Sequence, residues 1–244
     1  ADIGITTDAE TGEIVFDEEA FVAAAANYGD DVEALFAVQG RATDPQVTFM
    51  SNTLATKAGS YDLTVTQLAT QGGLTSAAAI GNPAAVVIDA NNNTFSISVD
   101  GIASGSIALT QATYTAEELA TEIQSMINAD SALAAEEKTV AVTYDSGTNT
   151  FSITSNTWGS ASTVEITAVG TNTTADLGFS VAAGTTGIDV AGTINGEAAT
   201  GEGQYLTGAA DNDAEGLKVQ VTGGAIGARG SASLIRGIGD LMVT

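Results

Sequence analysis

Val190-Ala191-Gly192-Thr193-Ile194-Asn195-Gly196-Glu197-Ala198-Ala199-Thr200-Gly201 is the stretch that decides the fold class of this chain. It continues through Gln204-Tyr205-Leu206-Thr207-Gly208 and Glu215-Gly216-Leu217-Lys218-Val219-Gln220-Val221-Thr222-Gly223-Gly224 to Gly227-Ala228-Arg229-Gly230. Apolar and polar residues alternate in short runs, and Asn-Gly and Gly-Gly pairs separate the runs. Period-two alternation is the mark of a strand with one buried face, and Asn-Gly suits a tight hairpin turn because both residues accept positive φ. The chain is therefore read as mainly β, within the α+β class.

Working outward, composition agrees. The apolar fraction of 44% is carried by small residues, aromatics reach only 5%, and there are 28 glycines in 244 residues. Thin sheets joined by tight turns suit that mixture better than a thick α/β core. The charge is −24, from 30 acidic and 6 basic residues. Phosphate recognition needs clustered Lys and Arg, so nucleic acid is excluded as a partner, and an anionic membrane surface would repel the chain. Residues 1–40 carry ten acidic and no basic side chains, whereas in 41–75 Arg41 and Lys57 balance Asp44 and Asp62. There is no cysteine, hence no disulfide or thiolate site. No apolar run approaches the roughly 20 residues of a membrane-spanning helix. Ala1-Asp2-Ile3-Gly4 lacks the basic start of a secretory signal, and both ends read as cut, with an export signal expected outside the segment.

The pattern divides the chain into three parts. In 1–40, Asp8-Ala9-Glu10-Thr11-Gly12 forms a turn before the strand Glu13-Ile14-Val15-Phe16. Asp17 then caps a helix bearing Phe21, Val22 and Ala25, and a second helical stretch carries Val32, Leu35 and Phe36. Gly40-Arg41-Ala42-Thr43-Asp44-Pro45 marks the first boundary. Segments 41–75 and 186–244 are expected to pair as one discontinuous lower β domain, with strands at Val47-Thr48-Phe49 and Tyr61 to Thr66.

The intervening 76–185 is expected to be an inserted upper α+β domain with an internal repeat. Asn93-Thr94-Phe95-Ser96-Ile97-Ser98 returns as Asn149-Thr150-Phe151-Ser152-Ile153-Thr154. Each copy follows an apolar strand, Ala85 to Ile88 or Val140 to Tyr144. Asp89-Ala90-Asn91-Asn92-Asn93 and Asp145-Ser146-Gly147-Thr148-Asn149 are read as the hairpin turns between them. Further strands are expected at Ser106 to Leu109 and at Thr163 to Ile166. One helix, Thr115 to Asn128, is expected, with Thr115 and Glu118 at capping-box spacing and Leu119, Ile123, Met126 and Ile127 as its apolar stripe.

Chemistry is sparse. Without histidine there is no Ser-His-Asp or Cys-His triad and no common zinc site. No P-loop and no dinucleotide fingerprint occurs. A carboxylate pair acting on sugars would need an aromatic-lined cleft, for which the single tryptophan, Trp158, is poor provision. Asp211-Asn212-Asp213-Ala214-Glu215-Gly216 follows the first half of an EF-hand loop but reaches Thr222 where the bidentate Glu belongs, and Gly12 comes one residue too soon after Asp8. Both are read as solvated turns. No catalytic, cofactor-binding or metal-binding residue, and no cofactor, is expected. Trp158, in the turn Asn156 to Gly159 of the second repeat, is either a contact for a neighbour or receptor or a cover for the end of its own domain.

Several segments resemble the flagellar hook-associated protein 2 family, the filament cap proteins. They are Ala191 to Gly196, Gly216 to Val219 with Val221 to Gly224, and Gly227 with Arg229-Gly230. To these are added Gly4-Ile5-Thr6 to Phe36, Thr56 to Thr70, and Phe95 to Asn128, an element also found in flagellins. The resemblance covers 3–38, 47–70, 84–130 and 188–236. It implies two small β-rich head domains, one inserted in the other, beside a short strand-helix element, without the family's terminal stalk helices. It implies an extracellular structural role at the flagellum tip, not catalysis. Subunits would associate into a ring that promotes flagellin folding and insertion, with flagellin, hook-filament junction proteins and in some bacteria a host surface as partners. An extracellular adhesin or surface-binding β module is the alternative, and a flagellin-type filament subunit is disfavoured by the 190–230 block.

Overall fold

Tyr61, Leu63 and Val65 are buried while Asp62 and Thr66 face solvent, so the strand Gly59–Gln67 realises the alternation written in its sequence. In this computed structural model, which describes residues 3–29, 32 and 38–237, that strand is the centre of a five-stranded antiparallel sheet. Its order is Glu197–Ala198, Ala191–Ile194, Gly59–Gln67, Gly227–Ile235, Gln39–Ala42. A four-stranded sheet of Thr200–Glu202, Tyr205–Thr207, Lys218–Val221 and Val47–Ser51 packs with it. Between the sheets lies a core of Val47, Tyr61, Leu63, Val65, Val190, Ile194, Leu206, Leu217, Val219, Val221 and Ala232. Asn195 and Gly196 both have positive φ (55° and 83°), as a two-residue primed turn between Ala191–Ile194 and Glu197–Ala198 requires. The strand Gln39–Ala42 pairs with Gly227–Ile235, so Gly40, Arg41 and Ala42 are sheet residues and not the pattern break expected of them.

A second core, separate from the first, gathers Phe95, Ile97, Val99, Ile107, Leu109, Phe151, Ile153, Val164, Ile166, Leu177 and Phe179. Helix Ala116–Asn128 closes it with Ala116, Leu119, Ala120, Ile123 and Ile127, all buried, and Met126 packs at its margin. The helix starts where expected. The Glu118 amide donates to Thr115 Oγ1 (3.3 Å) and the Thr115 amide donates to Glu118 Oε2 (2.8 Å), a complete capping box. Two one-turn helices, Ser131–Ala135 and Thr173–Leu177, were not anticipated.

The repeat is half right. Val140–Asp145 and Thr150–Ser155 form a true hairpin, Tyr144 facing Phe151 and Asp145 facing Thr150, with the Gly147 amide bonded to Asp145 Oδ1 at 2.8 Å. In the first copy the two expected strands do not pair with each other: Val86–Val87 pairs with Thr113–Tyr114, and Thr94–Val99 pairs with Ile102–Ala103, Ile107–Ala108 and Val164–Val169. Asn92 explains why Asp89 to Asn93 does not fold back. Its buried amide donates to the Val87 carbonyl (2.9 Å) and to Asp176 Oδ2 (2.8 Å), tying the segment to helix Thr173–Leu177. The strands of the two copies still act alike: Phe95 and Phe151 flank Phe179 with ring centroids 5.7 and 6.0 Å away.

The chain leaves the first core after Ala69 and enters the second by Leu74, which lies in a strand, Gly73–Thr75, paired with Thr150–Ser155. That crossing precedes the expected step at 75/76. The return is adjacent: Gly73 and Thr185 exchange both backbone hydrogen bonds (2.9 and 2.8 Å).

At the beginning, Ile5–Thr7 pairs with Ile14–Phe16, and helix Glu18–Asn27 is capped by Asp17 Oδ1, which accepts from the Ala20 amide at 3.0 Å. Ala24 and not the expected Val22 or Ala25 is its buried residue, while Phe21 is half-buried with its ring 5.4 Å from that of Phe16. Val32 is buried; Leu35 and Phe36 lie outside the described residues.

Candidate functional site

The seam between the two cores is the most elaborated surface feature. Asp189, on the returning connection, accepts hydrogen bonds from the Ser160 amide (2.9 Å), the Ser160 hydroxyl (2.6 Å) and the Gly203 amide (2.7 Å). One carboxylate thus holds a loop of the second unit against a turn of the first. The Ser160 hydroxyl bond, followed by the backbone donors, keeps this carboxyl below the usual aspartate range. Neighbouring backbone bonds finish the clasp: Gly159 amide to Thr70 carbonyl (2.9 Å), Gly187 amide to Ser162 carbonyl (2.9 Å), and Val190 amide to Gly203 carbonyl (2.9 Å). Gly159 is required here. Its φ is +90°, and a Cβ would collide with Asp189 Oδ1 and approach Gly203 Cα at 2.6 Å.

Over this clasp opens a cleft of about 610 Å³, walled by Trp158 and Ser160 from one side and by Glu202, Gln204, Tyr205, Lys218 and Gln220 from the other. Strand alternation aims the second group. Leu206, Val219 and Val221 turn inward, so Tyr205, Lys218 and Gln220 share the outer face, with Tyr205 opposite Gln220. Lys218 Nζ sits 4.6 Å from the Tyr205 ring centroid, a cation–π distance, and Gln220 Nε2 donates to Gln204 Oε1 at 3.2 Å.

Trp158 is therefore not at a hairpin tip. The strands around it, Thr150–Ser155 and Val164–Val169, belong to different sheets, and the loop between them runs across the seam. Sequence reading had singled out Trp158 but had no means of seeing that Asp189, Tyr205 and Lys218 converge on it.

The acidic turns are occupied with themselves. Asp213 pairs with Lys57 (2.6 Å), Glu215 Oε2 accepts from the Asp211 amide (3.0 Å), and Asn212 Oδ1 accepts from the Ala214 amide (2.8 Å). Asp8 Oδ1 accepts from the amides of Glu10 and Thr11 (2.9 and 2.8 Å). Among the described residues no three His, Cys, Asp or Glu side chains gather as a metal site.

Arg229 stands in the quoted Gly227-Ala228-Arg229-Gly230 motif, but its role as a buried ion-pair partner is not legible there. It is buried, donating Nε to Asp44 Oδ2 (2.6 Å) and Nη1 to the carbonyls of Gly223 (2.7 Å) and Ala225 (3.1 Å). The Arg229 guanidinium lowers the Asp44 pKa, and the ion pair raises that of Arg229. Strand Gly227–Ile235 bulges between Ala228 and Ser231, and this turns the guanidinium inward.

No protein-family model matches the sequence, and neither does any curated protein. Solved structures do match. One is the crystal structure of the flagellar cap protein FliD D2-D3 domains from Escherichia coli, 16% identical, with a TM-score of 0.53 over 82% of this chain and 100% of that one. The chain has the fold of flagellar cap D2-D3 domains. The D1-D2-D3 structure from the same bacterium gives 15% identity and a TM-score of 0.53 over 86% of this chain and 58% of that one. The flagellar cap protein FliD from Bdellovibrio bacteriovorus gives 13% and 0.50 over 80% and 99%. The expected mainly β, α+β architecture stands with this fold. Among the described residues no helix is long and apolar enough to cross a membrane.

Proposed function

We propose that this chain is the head region of a flagellar filament cap, in which 41–75 with 186–244 and the inserted 76–185 are the two head domains. Subunits carrying it form a ring at the filament tip, outside the cell, and that ring promotes folding and insertion of flagellin. The head's work is mechanical, with no bond made or broken. The observation that carries this reading is the fold match along the whole length of the Escherichia coli D2-D3 chain. Two features suit the role. The Asp189 clasp and the paired crossings at Gly73 and Thr185 fix one unit against the other, as a ring under mechanical stress requires. Exposed Ile14, Phe16 and Val22 leave apolar surface on the first strand-helix element for the rest of a longer subunit or its neighbours.

Deleting the gene in the source organism tests the proposal. Loss of the cap should shorten or abolish filaments and release monomeric flagellin into the medium, with recovery on complementation. Normal filaments and no free flagellin would overturn the reading.

A further inference from the structure

The cleft at the seam has a composition that the cap reading does not use. Trp158 is 39% exposed and lines both this cleft and a smaller depression of about 180 Å³ beside Leu68, Ala69 and Val221. Around it stand polar groups with hydrogen-bonding capacity to spare, Lys218 among them although its ammonium lies over the Tyr205 ring. Among the described residues, the Lys218 ammonium and the Glu202 carboxylate form no ion pair or hydrogen bond, and Gln204 Nε2 and Gln220 Oε1 remain open once those two amides have bonded each other. A surface in which an exposed indole is ringed by mixed donors and acceptors is unusual for a chain that is 5% aromatic with a single tryptophan.

We propose that this cleft binds a neutral carbohydrate, one pyranose ring stacking on Trp158 and its hydroxyls meeting Lys218, Gln204, Gln220 and Glu202. A pyranose is amphipathic in the same way as the site, with an apolar C–H face and a rim of hydroxyls. Each hydroxyl both donates and accepts, which matches a lining that offers two donors, Lys218 and Gln204 Nε2, and two acceptors, Glu202 and Gln220 Oε1. An apolar ligand would strip water from those groups and leave them unpaired. An anionic ligand would meet Glu202 and Asp189 inside a chain of charge −24. The cleft volume lies within the ~300–1,000 Å³ of small-molecule sites. The Asp189 clasp holds the Trp158 loop in place beforehand, so little ordering opposes binding. The proposal is independent of the cap reading, since it uses only this cleft.

The test applies the labelled chain to an array of neutral, sialylated and sulfated glycans. Neutral hits are then titrated against intrinsic fluorescence, for which Trp158 is the sole indole reporter. The expected result is a saturable emission change for a neutral oligosaccharide, with Kd between about 0.01 and 10 mM. Gln220→Ala and Gln204→Ala, on half-buried surface positions, should each weaken binding at least about fivefold while leaving the thermal midpoint unchanged. An array with no neutral hits, hits confined to acidic glycans, or neutral binding indifferent to both substitutions would each overturn the proposal and leave the deletion phenotype unaffected.

Discussion

Phe179→Ala should unfold one core and spare the other. Phe179 is fully buried, between Phe95 and Phe151 at 5.7 and 6.0 Å. Truncating a buried phenylalanine costs about 3–5 kcal/mol, and losing two tilted ring pairs places this one at about 4–5 kcal/mol. If 76–185 unfolds as a unit of roughly 110 residues, its melting entropy is about 230 cal/mol/K, so 4 kcal/mol lowers its midpoint by about 17 °C. Phe179→Leu keeps most of the apolar volume but neither ring pair, and should cost about 1–2 kcal/mol, or about 4–9 °C. Scanning calorimetry is the assay. In the variants the transition of this unit should move down while that of the core around Leu63 and Val219 stays within about 2 °C, because the cores share no buried side chain. Equal displacement of the whole profile, or an alanine shift under about 5 °C, would refute the reasoning.

Leu119→Ala or Ile123→Ala should cost about 2–4 kcal/mol in chemical denaturation, and Thr115→Ala about 1 kcal/mol through the lost cap; a loss under about 1 kcal/mol for both core variants would mean that the stripe faces solvent. Asp189 has a lowered folded pKa, so its stabilisation is present above the unfolded value near ~3.9 and disappears as pH falls through the lowered one. Asp189→Asn should therefore melt below the parent at pH 7, the gap closing under strong acid; a gap unchanged between pH 7 and 2 would disprove the clasp's electrostatic part. Isolated chains should sediment as monomers at 10 mM salt, where a charge of −24 acts over about 30 Å, and associate weakly, if at all, near 150 mM, where screening shortens the reach to ~8 Å. A stable oligomer at micromolar protein in 10 mM salt would contradict this.

What the sequence disclosed was whatever is decided within a few residues. Asn195-Gly196 specifies its own turn, Thr115 and Glu118 specify their own cap, and alternation in Gly59–Gln67 selects its own buried face. Pairing over a distance was less legible. Val86–Val87 was assigned to its sequence neighbour but pairs with Thr113–Tyr114, because Asn92 binds a helix 84 residues further along and spends the turn-forming residues of Asp89 to Asn93 in a loop. Arg229 was legible as part of a motif but not as a buried ion pair, since its partner Asp44 lies 185 positions away. The cleft was hidden for the same reason. Trp158 and Lys218 each carry a local signal, but only the fold brings them to one opening.

Gly73 and Thr185, side by side at the two crossings, bring the two ends of the inserted segment together on one bridge, with the Asp189 clasp beside it. Whatever follows Gly73 and precedes Thr185 needs two ends a strand's width apart to be accommodated, and closing such a bridge costs little more for a long insert than for a short one. A lineage could therefore exchange the inserted segment as a block, provided that the new segment again met Asp189 and Thr70. A protein engineer could use the same bridge to replace the inserted segment with a tight turn, a fluorescent reporter or an antigen.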